Sequence, residues 1–362
     1  MQKKLNLLVI FGGMSSEHEV SCLSAASILH HINQELYQVY TLGITKKGRW
    51  ILTEATPERI ANGSWENVIG NRGGILSPDR SFTGIRTLLG DEIPIDCVFP
   101  VLHGKYGEDG TIQGLFDLLG VPYVGSGVLA SSTCMDKAVT KSIVERIIGN
   151  LGIRQATYAT TDRFRFASGP TETVRMVIDT FHEDYPLFVK PANAGSSVGI
   201  TKVWDSIQLF DGIRKAAEED HKIIIEEAIV GRELEVAVLG NRKPQASKVG
   251  EIIASNEFYD YEAKYINELS RTEIVSDLDV GKLEEIQRAA VAIYEIMGCR
   301  GLARVDFFLE QDGTVVFNEI NTMPGFTKIS MYPKLWEASG IEYPDLIDRL
   351  IDLAMEETEW QK

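Results

Sequence analysis

Residues 302–321 read LARVDFFLEQDGTVVFNEIN, two apolar runs joined by the turn QDG, and this pattern predicts a β-hairpin. Arg304 and Asp306 lie two residues apart on the first strand, so their side chains share one face. Glu319 and Asn321 have the same spacing on the second strand. Carboxylate and amide oxygens suit Mg²⁺ that is held jointly with substrate phosphates. The hairpin therefore predicts a metal site formed by Asp306, Glu319 and Asn321; a hairpin with a polar outer face is the alternative.

The loop after this hairpin ends the second strand. It reads NTMPGFT from residue 321 to residue 327, and Pro324 and Gly325 interrupt the strand pattern. Such a loop exposes backbone N–H groups, which together with Arg304 are suited to hold a developing oxyanion. An ordinary strand-ending loop is the alternative.

A second segment, KPANAGSSVG at residues 190–199, places Lys190 at the end of a strand and before a small, flexible loop. This combination is suited to covering phosphates. The residue order of a P-loop is missing, and a β-hairpin with a Gly/Ser turn is the alternative. Lys137 supplies a further positive charge or is a helical surface lysine.

The apolar strand KIIIEEAI at residues 222–229 contains Glu226 and Glu227 near its end. Acids there either bond a ribose, while the neighbouring backbone reads an adenine, or face solvent.

Two polar residues stand out in the N-terminal third. Glu17 follows Gly12 and Gly13 at a predicted helix start, where the helix dipole favours a carboxylate, although a capping role is equally plain. His103 follows a buried strand, and ligands of open α/β sheets gather at the carboxyl ends of strands. A structural histidine is the alternative.

Composition restricts the classes of partner. The chain has 36 Lys and Arg against 52 Asp and Glu, a formal charge of −16, so we expect neither nucleic acid nor an anionic membrane as a partner. Four scattered cysteines without a C-x-x-C pair favour a reducing cytoplasm over a zinc or disulfide-exchange site. No apolar run approaches the roughly 20 residues of a membrane span.

The 362 residues suggest two or three domains. The apolar run at 5–11 predicts a first strand that is covered on both faces. An open α/β unit of about 125 residues follows, with further strands over 37–44, 95–101 and 121–124. The stretch from about 54 to 94 is rich in glycine and poorly patterned.

Eight segments together resemble the D-alanine–D-alanine ligases of the ATP-grasp superfamily and occur in that family's order. They are GGMSSEHEVS, HGKYGEDGTIQG, VPYVGSGVLASSTCMDK, FVKPANAGSSVGI, EEAIVGRELEVAVLG, FYDYEAKY, RVDFFL and NEINTMPGFT. The resemblance implies a multidomain α/β and α+β fold, in which an N-terminal open α/β (pre-ATP-grasp) domain at 1–125 precedes a two-part ATP-grasp fold. Its central subdomain would span 126–230. Its C-terminal subdomain would span 231–362 and carry a lid loop at about 255–272.

The resemblance also implies a reaction and a set of residues for it. ATP would phosphorylate the carboxylate of one D-alanine, and the amine of a second would attack the acylphosphate, making D-alanyl-D-alanine for peptidoglycan precursors. Two Mg²⁺ or Mn²⁺ ions would be held by Asp306, Glu319 and Asn321. The ATP-binding residues implied are Lys137, Lys190, Ser196, Ser197, Glu226, Glu227, Ala228, Ile229, Glu233, Lys264, Phe308, Asn318 and Glu319. The substrate-binding residues implied are Glu17, His103, Ser330 and Met331, and the catalytic residues implied are Glu17, Ser196, Tyr265, Arg304 and Gly325.

Alternatives to this function stay open. A D-alanine–D-lactate ligase, or another carboxylate–amine ligase of the superfamily, is the nearest, although Tyr265 in the lid favours the dipeptide product. A nucleotide-binding module without turnover belongs to a different class, but it would be expected to lack Arg304 or a metal acid. The resemblance further implies a cytoplasmic homodimer.

Overall fold

The computed structural model describes residues 3–195, 198–253 and 271–360, which form three β-sheets that are packed against helices. The helices are α1 (His18–His31), α2 (Pro57–Ala61), α3 (Thr111–Leu119), α4 (Val128–Met135), α5 (Lys137–Leu151), α6 (Arg163–Ser168), α7 (Pro170–Phe181), α8 (Ser206–Glu219), α9 (Val280–Ile296), α10 (Met331–Ala338) and α11 (Tyr343–Trp360). The strands are β1 (Leu5–Gly12), β2 (Tyr37–Ile44), β3 (Trp50–Thr53), β4 (Arg72–Leu76), β5 (Gly84–Thr87), β6 (Glu92–Pro94), β7 (Cys97–Val101), β8 (Arg154–Gln155), β9 (Tyr158–Asp162), β10 (Leu187–Pro191), β11 (Thr201–Val203), β12 (Lys222–Glu227), β13 (Gly231–Leu239), β14 (Gln245–Ile253), β15 (Arg271–Ile274), β16 (Leu302–Glu310) and β17 (Val315–Asn321).

The N-terminal sheet has the strand order β6-β5-β4-β3-β2-β1-β7. Strands β1, β2 and β7 are parallel, and the strands beyond β2 add on in antiparallel fashion. Successive side chains of β1 point to opposite faces. Val9 packs in the cluster that contains α1, whereas Ile10 packs in the cluster that contains α3. The prediction that the first strand is buried on both faces is therefore confirmed.

Two expectations for this unit need correction. The predicted strand over 121–124 is wrong, because the segment forms only an isolated bridge between Val98 and Tyr123; Pro122 lacks an N–H and cannot pair on both sides. The stretch from 54 to 94 is structured and supplies β4, β5 and β6. Its glycines hide the alternation that marks a strand, so the sequence pattern was weak there.

The central sheet is antiparallel, in the order β11-β10-β12-β9. Its inner face packs against α7 and α8, with Val189 and Ile225 among the wholly buried residues. Helices α4 and α5, which precede this sheet in the chain, pack instead in the core of the C-terminal sheet. The domain limits 1–125, 126–230 and 231–362 stay a prediction. Residues of α4 and α5 fall within the predicted central subdomain but pack with the C-terminal sheet.

The C-terminal sheet has the order β15-β14-β13-β16-β17-β8, and all its pairs are antiparallel except β17 with β8. The predicted hairpin is β16 and β17, in which Asp306 lies opposite Glu319 and Arg304 opposite Asn321. After this hairpin, α10 packs on β13 and β14 of the C-terminal sheet, whereas α11 packs against α1 and β7, and one hydrophobic cluster joins both helices to the N-terminal sheet. This packing holds the two outer sheets on either side of a cleft.

No helix in the described part of the chain is both long enough and apolar enough to cross a bilayer.

Trp65 tests whether the stretch at 54–94 is part of the N-terminal core. Its side chain is fully buried, and its ring meets Phe11 edge-on with centroids 4.9 Å apart. We expect Trp65→Ala to lower the free energy of unfolding by about 3–5 kcal/mol, because the cavity left beside β1 cannot collapse fully. Urea unfolding followed by circular dichroism measures this.

Ile69→Ala is the matched control, since Ile69 belongs to the same stretch and is fully exposed. It should change the free energy of unfolding by less than about 0.5 kcal/mol. Equal effects of the two substitutions would show that this stretch does not anchor the core.

Candidate active site

A cleft of about 330 Å³ lies where the three sheets meet. Residues from each sheet or from its adjoining loops line it, so it is not a property of one domain. Its walls hold every sequence-predicted site residue that the structure describes. These residues are Glu17, His103, Lys137, Lys190, Glu226, Glu227, Ala228, Ile229, Glu233, Arg304, Asp306, Phe308, Asn318, Glu319, Asn321, Gly325, Ser330 and Met331.

Four predicted residues fall outside the described part of the chain. They are Ser196, Ser197, Lys264 and Tyr265, and the predicted lid at about 255–272 lies outside it as well except for its last two residues.

Strand register brings the acidic residues of the cleft into one row. Glu235 on β13 lies opposite Asp306 on β16, which in turn lies opposite Glu319 on β17. Directly opposite residues on antiparallel strands share a face, so the three carboxylates line one side of the sheet. Asn321 Nδ2 donates to Asp306 Oδ2 at 3.1 Å, which brings the predicted ligand Asn321 beside the predicted ligand Asp306.

Arg304 is held between two of these carboxylates. Its Nε and Nη2 atoms donate to the two oxygens of Asp306 at 2.7 Å each, and Nε also lies 3.1 Å from Glu235 Oε2. Burial alone would lower the pKa of Arg304, but the charges of Asp306 and then Glu235 hold it well above its ordinary value. The guanidinium therefore stays cationic inside the cleft. Glu235 was not predicted from the sequence, although its alternation with Glu233 along one strand was a usable signal.

Lys137 is positioned by a helix cap. The Asp136 side chain accepts hydrogen bonds from the N–H groups of Ala138 and Val139, so helix α5 begins at Lys137. Lys137 Nζ donates to the carbonyl of Ala194 at 2.9 Å and lies 3.4 Å from Glu319 Oε2. It thus links the small-residue loop after β10 to the acidic row.

Glu226 lies between two lysines on the opposite wall. Its Oε2 is 2.5 Å from Lys190 Nζ, and its Oε1 is 2.7 Å from Lys141 Nζ. Burial would raise the pKa of Glu226, but the charges of Lys141 and then Lys190 outweigh it and lower the pKa to about 2. The carboxylate is consequently ionised. Lys141 was not predicted from the sequence, because no sequence pattern distinguishes a buried lysine of a helix from an exposed one.

The segment after Glu226 forms a narrow edge of the cleft. Glu227 Oε1 is 2.6 Å from Arg154 Nη1 and accepts a hydrogen bond from the Thr157 N–H, so its carboxylate is held by the protein and is not only solvated. The Ala228 N–H donates to the Pro186 carbonyl at 3.1 Å. That N–H is therefore occupied, although Ala228 lines the cleft together with Ile229 and Val230.

The N-terminal wall is built around Glu17, which immediately precedes α1 and is buried. Its carboxylate lies beside Gly104 and Gly195; a Cβ on Gly195 would come within 2.6 Å of Glu17 Oε2. Gly104 also has φ +72°, so both the backbone angle and the close approach require glycine at that position. This wall can thus present one carboxylate to a ligand at short range.

His103 lines the same cleft and is close enough to Glu17 to feel its charge. Its ring nitrogens contact the Met323 carbonyl at 3.1 Å and Ser24 Oγ at 3.2 Å, and Nδ1 is 3.6 Å from Glu108. Burial would lower the pKa of His103, but the hydrogen bond and charge of Glu108 outweigh it and raise the pKa. The ring joins the N-terminal sheet to the loop after β17.

The far end of the cleft is the start of α10. Ser330 immediately precedes this helix, and its Oγ accepts from the Thr327 N–H at 3.0 Å. A Cβ on Gly325 would approach Ser330 Oγ to 2.8 Å, so the loop passes close to the helix start. Ser330 and Met331 therefore face the same cavity as Arg304.

The residues present fit a divalent cation that is shared with a ligand. Asp306, Glu319 and Asn321 supply oxygens on one face, and Arg304 and Lys137 already compensate the two carboxylates. In the described residues no group of three or more His, Cys, Asp or Glu side chains has an arrangement that could hold a metal. Further oxygens would have to come from a phosphate ligand or water, as is usual for Mg²⁺.

A three-sheet fold whose central cleft brings lysines and an arginine together with a row of carboxylates is typical of a nucleotide-dependent ligase of the ATP-grasp type. Comparison with known proteins narrows this class. The family model described as "D-ala D-ala ligase N-terminus" matches residues 6–126, and the model described as "D-ala D-ala ligase C-terminus" matches residues 147–352. The chain belongs to the D-alanine–D-alanine ligase family, whose members use ATP and a divalent metal.

Three relatives illustrate the range of the family. The D-alanine–D-alanine ligase B of Clostridium tetani is 48% identical over 98% of this chain and 95% of its own length. The crystal structure of the VanG D-Ala:D-Ser ligase from Enterococcus faecalis superposes with a TM-score of 0.86 at 38% identity, covering 97% of this chain and all of that one. A D-alanine–D-alanine ligase from Bacillus anthracis complexed with ATP has a TM-score of 0.71 at 25% identity, covering 99% of this chain and all of that one. The predicted family and fold class are confirmed.

Glu226 tests the charge network of this site. We expect Glu226→Gln to lower the free energy of unfolding at pH 7 by about 3–5 kcal/mol, because two buried lysines lose their carboxylate. The pKa of Glu226 is lower in the folded chain than its ordinary value of 4.5, so its contribution is complete above that value and is lost as the pH falls toward about 2. The difference between variant and wild type should shrink over this range in urea unfolding at stepped pH.

Glu227→Gln is the control, since the neighbouring carboxylate pairs with Arg154 in a partly exposed position. It should cost less than about 1 kcal/mol. An equal cost for both variants would contradict the assignment of Glu226 as a buried bridge between lysines.

Proposed function

We propose that this chain joins two D-alanine molecules to D-alanyl-D-alanine with hydrolysis of ATP to ADP and phosphate. The observation that carries the proposal is the convergence of Lys137, Lys190 and Arg304 with the acidic row in one cleft of a family member. Transfer of a phosphoryl group depends mainly on positioning and on neutralising charge, and this cleft provides both.

The nucleotide is proposed to lie between the central and C-terminal sheets. Lys137 and Lys190 would contact its phosphates, with Lys264, Ser196 and Ser197 contributing from outside the described residues. Glu226, Glu227 and Glu233, with Phe308 and Asn318, would line its base and ribose. Because the Ala228 N–H is already bonded to Pro186, adenine would be read by the Ile229 N–H and neighbouring carbonyls.

Asp306, Glu319 and Asn321 would hold two Mg²⁺ ions, or Mn²⁺ in their place. When bound, such ions neutralise charge on the nucleotide phosphates. Their proposed position follows from the shared face of the three side chains and from the nearby Lys137 and Arg304.

The amino-acid substrates are proposed to lie toward the N-terminal sheet. Glu17 would bind the ammonium of the first D-alanine, which its burial beside Gly104 and Gly195 supports, and His103 would contribute to the same substrate site. Ser330 and the Met331 backbone would receive the carboxylate of the second D-alanine at the start of α10. This arrangement places the two substrates on either side of Arg304.

The reaction proceeds in two steps. The first D-alanine carboxylate takes the terminal phosphoryl group of ATP and gives an acylphosphate and ADP. The amine of the second D-alanine then forms a C–N bond to the acyl carbon, loses a proton, and phosphate leaves with the electron pair of the C–O bond. Arg304 and the Gly325 N–H would stabilise the oxyanion between these events.

Water must be kept from the acylphosphate. Glu17, Ser196 and Tyr265 are proposed to form a hydrogen-bonded set that closes the lid at about 255–272 over the cleft.

The second substrate is the point on which relatives differ, because VanG is named a D-Ala:D-Ser ligase. Tyr265 favours an amine over the D-lactate hydroxyl as acceptor. Incubation with ATP, Mg²⁺ and D-alanine, with and without D-serine or D-lactate, followed by chromatography, tests the choice. We expect D-alanyl-D-alanine as the main product near neutral pH; a dominant mixed product would contradict the proposal.

We also propose that the chain works in the cytoplasm as a homodimer. Cys22, Cys97, Cys134 and Cys299 are all free and buried, which suits a reducing compartment. Light scattering coupled to gel filtration measures the subunit number, and a monomeric mass at working concentration would refute the dimer.

Arg304 separates catalysis from nucleotide binding alone. We expect Arg304→Ala to reduce product formation by about 10²–10³-fold while ATP affinity is largely retained, because the guanidinium acts on charge that develops during amine attack. Turnover is measured by ADP release with product quantification, and affinity by calorimetry.

Arg146→Ala is the control, since Arg146 is exposed on α5 and lies outside the cleft. It should leave turnover unchanged. Near-normal turnover in Arg304→Ala would remove the oxyanion role, and wild-type binding of ATP without any product would favour a non-catalytic module.

A further inference from the structure

Lys141 is a buried cation that does not line the cleft. It lies on α5, one helical turn beyond Lys137, and only 1% of its surface is exposed. Its ammonium group is 2.7 Å from Glu226 Oε1 and 6.0 Å from the centroid of the Phe317 ring. Lys141 thus reaches the site through Glu226 and from behind the cleft wall.

Glu226 connects this lysine to one that does face the cleft. Lys190 lies 2.5 Å from the second carboxylate oxygen and lines the cavity. The register of β10 and β12 pairs Lys190 with Ile224, which places Glu226 diagonally beside Lys190 on the same face. The three charged groups therefore form one connected ion-pair network in the order Lys141, Glu226, Lys190.

The three charges of this network can be added directly. Two lysines and one carboxylate leave a net charge of +1 on the network, and Lys190 is the member that faces the cleft. Without Lys141 the net charge of the network would be zero. Lys190 would then be the one cation of the network that pairs with Glu226. In a buried environment the uncompensated charge of Glu226, 2.5 Å from Lys190, would substantially weaken the attraction between Lys190 and a phosphate.

We propose that Lys141 is a positioning residue that balances Glu226 and so keeps the charge of Lys190 available to the phosphates of ATP. The inference rests on the proposed function of the cleft. A purely structural role fits less well, because an apolar side chain would pack against Phe317 without the cost of burying a charge.

Lys141→Met is the central experiment. It should weaken ATP binding, and raise KM for ATP, by about tenfold while KM for D-alanine stays unchanged. Lys141→Arg keeps the charge and should recover ATP affinity to within about threefold of wild type. Lys282→Met is the matched control, because Lys282 pairs with Glu285 on α9 outside the cleft and should not alter ATP affinity.

A double variant makes the test independent of the stability of Lys141→Met. Lys141→Met with Glu226→Gln removes both inner charges and again leaves +1 on Lys190. Its ATP affinity should lie within about threefold of that of the Glu226→Gln single variant, because Lys141 has no carboxylate left to balance in that background. A structural role would instead predict that Lys141→Met weakens ATP binding by about tenfold whether or not Glu226 is present.

Three results would overturn the inference. They are unchanged ATP affinity in folded Lys141→Met, a parallel rise in KM for both substrates, and a double variant that binds ATP about tenfold more weakly than the Glu226→Gln single variant. Failure of the proposed function gives a different result. Wild-type protein that binds ATP but makes no dipeptide would refute the ligase reaction, whereas the ATP affinities of the variants would still decide the role of Lys141.

Discussion

Pairing with carboxylates keeps the cations of the cleft charged. The chain carries a formal charge of −16, so its field opposes any polyphosphate. Lys190 and Arg304 line the cleft with little exposed surface, and burial alone lowers the pKa of both groups. Glu226 lies 2.5 Å from Lys190 and Asp306 lies 2.7 Å from Arg304, and these carboxylates outweigh burial and raise the pKa of each cation. Lys190 and Arg304 therefore meet a ligand as cations, because each has a carboxylate beside it.

The geometry of these pairs follows from strand register. Glu235, Asp306 and Glu319 form a row because three antiparallel strands place them opposite one another. A shift of one residue in the register of β17 would turn Glu319 to the other face of the sheet. The apolar residues of β16 and β17, including Phe307 and Phe317, are buried in the opposite core and fix that register. The packing of the core therefore determines the chemistry of the site.

The sequence predicted most of this arrangement where short-range patterns carry the information. The spacing within β16 and β17 was sufficient to place Asp306 and Glu319 together. It was not sufficient for Lys141, because its burial depends on the contact between α5 and a sheet formed much later in the chain. The Gly-rich stretch at 54–94 was likewise unreadable, since its strands add to a sheet edge that only the folded N-terminal unit provides.

The buried charges of the cleft are difficult to explain as a source of stability. A buried ion pair often contributes no more to folding than apolar side chains of similar volume would. Lys141 lies beside Phe317 of a buried apolar cluster, where an apolar side chain could pack in its place. A chain selected for stability alone would therefore be expected to lose these buried charges. Retaining them makes sense if the cleft must present a fixed positive charge to phosphates in a protein that is otherwise strongly acidic, since function is commonly maintained at some expense of stability.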